Sequence, residues 1–135
     1  MLKYWNLIRK DKKVPDFQQV NPHTIEDIWT QCFVVNVDTH HNVTYKYEYM
    51  GPSITQAYGQ DLTGQEVDYR IKKFPGIIMF KKLGEVTNEN RPMEDNGYFV
   101  SEGGKLIKYR ACFLPFGNDV KGLTHIVVGL SFKLF

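Results

Sequence analysis

The chain has 135 residues and a mass of 15.7 kDa, which fits one domain and leaves little room for a second. Apolar residues make up 42% of it, and Lys and Arg exceed Asp and Glu by two, so the overall charge gives no electrostatic case for a nucleic-acid or membrane partner. No stretch approaches the roughly 18 consecutive apolar residues of a membrane span, and the first residues lack the apolar core of a signal peptide. The composition therefore predicts a cytoplasmic protein.

A short amphipathic helix is predicted over residues 1–9, where Trp5 and Ile8 recur at helical spacing and Tyr4 widens the apolar stripe. A helix this short persists only if it packs on something. It can cover the back of its own sheet or contact a second copy of the chain. Tyr4, Trp5 and Ile8 are therefore candidate interface residues.

A basic run at residues 9–13 is interpreted as a solvated helix end, with a phosphate or nucleic-acid patch as the alternative. An extended connector then leads to a second helix, which Asn21 caps and Pro22 begins. Short β-branched or alternating runs, separated by turn residues, predict five strands. Their ranges are 32–37, 45–49, 93–100, 105–114 and 123–132.

Residues 45–64 form the most informative stretch of the sequence. Alternation with polar residues predicts that three tyrosines share one face of a strand: Tyr45, Tyr47 and Tyr49. Pro52 suits the first position of a short helix that follows the strand. Three glycines supply the backbone freedom that the ends of this helix and the next turn require. They are Gly51, Gly59 and Gly64.

A longer helix is predicted from near Phe74 to Gly84, because apolar residues recur there every three to four positions. The last strand is apolar on both faces, so both faces must be covered. Helices between the second and third strands can cover one face, and the N-terminal helix or another subunit can cover the other. Three residues on one face of this strand are further interface candidates: Ile126, Val128 and Leu130.

The strand, helix and turn over 45–64 resemble the first half of a PAS sensory domain, in particular the short stand-alone PAS-type domains common in alphaproteobacteria. Residues 4–9, 14–38 and 114–130 resemble the same family. The resemblance implies one α+β domain over 1–135, with an N-terminal helical extension to about residue 30. It also implies a five-stranded antiparallel sheet in the order 2-1-5-4-3, with helices inserted between strands 2 and 3. A bacterial signalling or interaction role follows from it, rather than catalysis.

The resemblance also implies an internal cavity. Aromatic residues, some with hydroxyl donors, are the candidates to line it as a ligand site, and the alternative is that they simply fill the core. The candidates are Phe33, Tyr45, Tyr47, Tyr49, Tyr58, Met79, Phe80, Tyr109 and His125.

No metal, haem or flavin is predicted. His40 and His41 are adjacent in a turn and lack the spacing of paired ligands, whereas His125 is interpreted as a hydrogen-bonded core histidine that could be pH-sensitive. Cys32 and Cys112 are interpreted as free thiols, and neither lies in a segment like the reactive-cysteine motif of flavin-binding PAS domains. An unidentified small ligand in the cavity is the alternative.

These observations predict a sensory or regulatory module without catalytic residues, which acts as a homodimer or by binding a signalling protein. The first alternative is a small-molecule sensor with an apolar and aromatic cavity. A more remote alternative is an enzyme of NTF2-like cone shape, which would need a polar pair inside the cone.

Overall fold

The protein is described by a computed structural model, which covers residues 1–68, 70, 76–101 and 103–134, without the side chains of residues 76–78 and 134. The helices are α1 (Leu2–Arg9), α2 (Glu26–Trp29), α3 (Pro52–Tyr58) and α4 (Gly76–Glu89). The strands are β1 (Cys32–Asp38), β2 (Thr44–Met50), β3 (Met93–Val100), β4 (Leu106–Asn118) and β5 (Gly122–Leu134). Two single 3₁₀ turns, Phe17–Gln19 and Pro22–Thr24, lie between α1 and α2.

The five strands form one antiparallel sheet in the order β2-β1-β5-β4-β3. The predicted α+β fold, strand order and helix insertion between β2 and β3 are confirmed. β5 lies in the middle and pairs with both β1 and β4, which explains why its sequence is apolar on both faces. Within the described part of the chain, no helix combines the length and apolarity needed to cross a membrane.

The inner face of the sheet packs against α3 and α4. Ile54 and Tyr58 of α3 and Leu83 and Val86 of α4 are buried in one cluster with inward-facing strand residues, among them Val128. Burial of this apolar face is the main stabilising contribution to the fold. The helices between strands 2 and 3 therefore cover one face, as predicted.

The outer face is covered over part of its area by residues 1–20, here called the strap. Trp5 and Phe17 of the strap pack on a second buried cluster formed by five sheet residues: Cys32, Val34, Leu114, Phe116 and Val127. The Trp5 indole Nε1 donates a hydrogen bond to the Pro115 carbonyl at 2.8 Å. Of the two alternatives that the sequence left open for the N-terminal helix, cover of its own sheet or contact with a second copy, the structure shows the first.

The turns of the 45–64 stretch form as predicted. Gly51 precedes α3, and a Cβ there would lie 2.2 Å from the Thr30 carbonyl oxygen, so the close approach of the two segments requires glycine. Gly59 ends α3 with φ 101°, and Gly64 has φ 89° in the next turn. Asn21 also caps the turn that begins at Pro22, although this turn is 3₁₀ and α2 is a separate, shorter helix.

Two predicted bounds are wrong. α4 continues to Glu89 rather than ending near Gly84, and its predicted start at Phe74 lies outside the described residues. β4 continues through Pro115 to Asn118, where the sequence indicated a loose connection. β3 pairs with β4 only as far as Phe113, so Pro115 has a neighbouring strand on one side only and its missing N–H is tolerated.

Candidate functional site

The predicted cavity residues divide between the two faces of the sheet. Seven of them lie in or against the inner cluster: Phe33, Tyr45, Tyr47, Tyr58, Met79, Phe80 and Tyr109. Tyr49 and His125 lie on the outer face, so the prediction that they share a cavity with the others is wrong.

The inner aromatic residues pack against one another. Phe33 and Tyr47 meet edge to face at 5.5 Å between ring centroids, as do Tyr45 and Phe80 at 5.7 Å. Phe33, Tyr47 and Met79 are each no more than 3% exposed. These predicted cavity residues are therefore part of the packed core.

Two inner tyrosine hydroxyls have partners within the protein. Tyr109 donates to Asp95 Oδ2 at 3.1 Å, and the Tyr45 hydroxyl is 2.7 Å from Thr87 Oγ1. Burial, together with the charge and hydrogen bond of Asp95, raises the pKa of Tyr109 to about 12. Burial also raises the pKa of Tyr47 above its usual range. These phenols stay protonated at neutral pH.

An open cleft of about 540 Å³ lies beside α3, where the link between β3 and β4 approaches the end of β5. Its apolar residues are Ala57, Tyr58, Ile107 and Phe132, and it is bordered by polar groups from both sides. The polar side chains are Ser53, Gln56, Ser101 and Lys105. Only Tyr58 was among the predicted cavity residues, because the cleft brings together segments that are distant in sequence.

Tyr49 is turned outward by an irregularity in β2. Val34 lies opposite Tyr49 and Val35 lies opposite Tyr47, so Glu48 is an extra residue that interrupts the alternation. The ring of Tyr49 stacks on Trp29 at 5.0 Å, and its hydroxyl donates to the Trp29 carbonyl at 3.3 Å. The prediction that three alternating tyrosines share one face is therefore wrong for Tyr49.

His125 is a partly buried, hydrogen-bonded side chain, but it lies under the strap on the outer face, where it lines an open cleft of about 650 Å³ with Phe17 and Asp38. Its ring stacks on Phe17 at 4.1 Å with an interplanar angle of 17°. Nδ1 lies 2.9 Å from Thr124 Oγ1 and Nε2 lies 3.3 Å from Glu48 Oε1. The extra residue in β2 thus supplies a carboxylate to the histidine. Within the described residues, no group of three or more His, Cys, Asp and Glu could hold a metal ion.

Both cysteines are free and lie on the outer face of the sheet. Cys32 is fully buried and its Sγ approaches the Ile28 carbonyl at 3.3 Å, while Cys112 is partly buried beside the same cluster. Burial raises the pKa of the Cys32 thiol to about 12, which makes it a poor nucleophile. Neither thiol is placed to react with a ligand held between the sheet and α3.

The predicted interface residues do not form one surface. Tyr4 and Ile8 are partly exposed on α1, whereas Trp5 is only 3% exposed because it packs on its own chain. Ile126, Val128 and Leu130 point to the inner face and are at most 3% exposed. The prediction that these three residues lie at an interface is wrong, because they are part of the inner core and the outer residues of β5 are the alternate set that includes Val127.

An exposed apolar region lies elsewhere on the outer face and was missed from the sequence. Tyr98 and Val100 of β3 and Leu106 of β4 are 53%, 56% and 45% exposed. Val100 is paired with Leu106, and Tyr98 is paired with Lys108, whose Nζ lies 6.0 Å from the tyrosine ring centroid. We call Tyr98, Val100, Leu106, Lys108 and Arg110 the open patch. The sequence feature that could have indicated this exposed region is the presence of apolar residues on both faces of the 98–107 hairpin.

Comparison with known proteins agrees with this architecture. No curated protein matches the chain. The light-state dimer of the fungal blue-light photoreceptor Vivid superposes with a TM-score of 0.58 at 10% identity, covering 96% of this chain and 90% of that one. The Rhodobacter sphaeroides LOV protein superposes with a TM-score of 0.55 at 8% identity, covering 84% and 68%. A fungal LOV domain photoreceptor gives 0.54 at 11% identity, covering 87% and 80%.

At these identities the structural likeness concerns the fold alone. The sequence itself matches the family model described as PAS domain over residues 1–130. This match covers nearly the whole chain, from α1 to the last strand. The chain belongs to the PAS domain family.

Proposed function

We propose that this chain is a non-catalytic regulatory module that binds a signalling partner through the open patch. The observation that carries the proposal is the exposure of three large apolar side chains on two paired strands. Tyr98, Val100 and Leu106 are each about half exposed on the face that the strap buries elsewhere. Contiguous exposed apolar surface of this kind is typical of protein interaction sites.

The charges around the patch favour a partner with carboxylates over a second copy of the chain. Lys108 and Arg110 lie on the outer side of β4, and Lys133 is paired with Lys108 from β5. Two such patches facing each other across a twofold axis would bring these cations together. A partner segment with apolar and acidic side chains would bury the apolar side chains of the patch and neutralise its cations.

The test is capture of partners from a lysate of the native source by three forms of the protein. Leu106→Glu places a carboxylate in the patch, and Val120→Glu makes the same change at a residue that is 93% exposed in the β4–β5 turn. We expect wild type and Val120→Glu to retain the same protein and Leu106→Glu to lose it. Retention by all three forms would refute the assignment of the patch.

Sedimentation of the purified protein separates a distinct partner from self-association. We expect a monomer for wild type at micromolar concentration. A dimer that Leu106→Glu dissociates would assign the patch to a second copy instead. Circular dichroism of each variant verifies that the fold is retained.

A small-molecule sensor is the second candidate, and the cleft beside α3 is the observation that favours it. Its volume of about 540 Å³ is within the range of ligand sites, and it combines apolar residues with a few polar groups. The outward position of both thiols argues against a covalent thiol–flavin adduct in this chain. Native mass spectrometry of the purified protein should detect a bound compound that Ala57→Trp displaces. A mass equal to that of the bare chain, with no thermal shift across a metabolite panel, would exclude this candidate.

A further inference from the structure

The small net charge of the chain conceals an uneven distribution. Five of its 17 Lys and Arg residues but only one of its 15 Asp and Glu residues lie within the first 13 residues. This segment therefore carries an excess of four positive charges, whereas residues 14–135 carry an excess of two negative charges. A basic segment of this kind attracts anionic partners even when the net charge of the whole protein is small.

The same segment exposes apolar side chains next to the cations. Leu7 is 74% exposed on α1, with Lys3 one helical turn before it and Lys10 just after the helix end. Leu2 is 40% exposed. An open groove of about 610 Å³ runs between α1 and α2 and is lined mostly by apolar groups. Its residues are Met1, Lys3, Tyr4, Asn6, Leu7 and Ile28.

The buried side of α1 holds this face in place. Trp5 anchors the helix to β4, and Arg9 lies over the Trp5 ring at 5.6 Å and donates to the Lys12 carbonyl at 2.9 Å. The orientation of the helix is therefore fixed by the folded domain, and the exposed face does not depend on an isolated eight-residue helix.

The lysines of the segment are exposed and available to an external anion. Lys3, Lys10, Lys12 and Lys13 all lie on the surface. Within the described residues, no carboxylate is within 4.0 Å of their ammonium groups. Asp11 is the one acid of the segment.

We propose that this N-terminal face binds peripherally to an anionic phospholipid surface, with Leu7 and the groove residues in the interface and the four lysines at the headgroups. Exposed aliphatic side chains beside cations suit a lipid boundary, where the apolar groups leave water while the ammonium groups stay among phosphates. A nucleic acid would use the cations and leave the aliphatic groups without a partner. The face is separate from the open patch, so the two proposals can fail independently.

The experiment is cosedimentation of the full chain with large vesicles. Vesicles of phosphatidylcholine with about 30% phosphatidylserine are compared with vesicles of phosphatidylcholine alone, since an anionic surface attracts each nearby cation. We expect binding to the anionic vesicles that weakens as salt rises. Equal binding to both vesicles, or binding to neither, would refute the proposal.

Variants separate the apolar contribution from the electrostatic one. Leu7→Asn should weaken vesicle binding about tenfold, because a buried leucine contributes on that scale. Lys12→Gln with Lys13→Gln should weaken it roughly 25-fold, since each cation near the surface adds about a factor of five. Asp11→Asn should strengthen it about fivefold, a gain that damage to the fold would not produce.

Matched controls use exposed residues elsewhere on the molecule. Val120→Asn makes the apolar-to-amide change in the β4–β5 turn, and Lys46→Gln with Lys81→Gln removes two charges from β2 and α4. We expect both controls to bind within about twofold of wild type. If either control lost as much binding as its matched N-terminal variant, the loss would not depend on this face and the assignment would be overturned. Binding to a duplex oligonucleotide that is indifferent to Leu7→Asn, without vesicle binding, would identify a nucleic-acid surface instead.

Discussion

The outer face of the sheet has two regions that differ in coverage although they share strands. Leu114 of β4 is fully buried beneath the strap, whereas Leu106, on the same strand and face, is 45% exposed. At the covered end, the β4 edge is also occupied, because the Gly117 N–H donates to the Pro15 carbonyl at 2.9 Å. At the other end, β4 pairs with β3 and their outward side chains form the open patch.

The difference shows that strand pattern and burial are separate properties. Both regions alternate in the same way, and both present large apolar residues outward. The covered region is buried because the strap crosses β1, β5 and the end of β4, where Trp5 and Phe17 reach its residues. The open patch lies beyond that crossing. Stability should therefore depend on the covered region and recognition on the exposed one.

The largest effect is expected from Trp5→Ala. Truncation removes a buried indole and leaves the Pro115 carbonyl without its donor, so the free energy of unfolding should fall by about 3–5 kcal/mol. Urea unfolding followed by circular dichroism measures this. Leu7→Ala is the control on the same helix and should change stability by less than about 0.5 kcal/mol, because Leu7 is 74% exposed. Similar losses for both variants would show that the strap does not cover the sheet.

A smaller effect is expected from alkaline pH. Burial beneath the strap raises the pKa of Cys32 from 9.0 to about 12, and the pKa of Tyr109 on the inner face rises from 10.0 to about 12. Above pH 9 the unfolded chain loses the thiol proton while the folded chain keeps it. The contribution of Cys32 to stability is complete below pH 9 and is lost as the pH rises toward 12, so that about 1 kcal/mol is lost by pH 10.

Denaturant unfolding from pH 8 to pH 11 measures this dependence. Cys32→Ala should reduce the slope between pH 9 and pH 10, and the contribution that remains there comes from Cys112 and the buried tyrosines, whose pKa values are also raised by burial. An unchanged slope in this variant would show that Cys32 is not shielded from water as its position indicates. The inner tyrosines should still steepen the decline at higher pH.

The strand order and the insertion of helices between β2 and β3 followed from the family resemblance, and the apolarity of both faces of the last strand agreed with its central place. The sequence did not predict side-chain orientation or strand length correctly where a single residue interrupted the regular alternation. Glu48 is an extra residue in β2, which turned Tyr49 to the outer face. The connection predicted at Pro115 is strand, because no strand pairs with β4 on that side and the missing N–H of Pro115 costs no ladder hydrogen bond. Neither fact is visible in a pattern that assumes regular alternation.

The candidate sites were less predictable than the fold for a different reason. The cleft beside α3 joins Gln56 to Lys105, and the open patch depends on where the strap stops, so both arise from tertiary contacts. The aromatic residues selected for the cavity were chosen by chemical type, and most of them are core. The overall charge of the chain does not show that its positive charges are concentrated in the first 13 residues.

The smallest effect on stability is expected at the exposed end of β4. Leu106→Ala should lower the free energy of unfolding by less than about 1 kcal/mol, because nearly half of its side chain is already in water. Leu114→Ala makes the same truncation on the same face beneath the strap and should cost about 2–5 kcal/mol. If Leu106→Ala were as destabilising as Leu114→Ala, the open patch would be part of the core and could not serve recognition. A small loss of stability together with loss of the captured partner would instead separate the two roles of one sheet face.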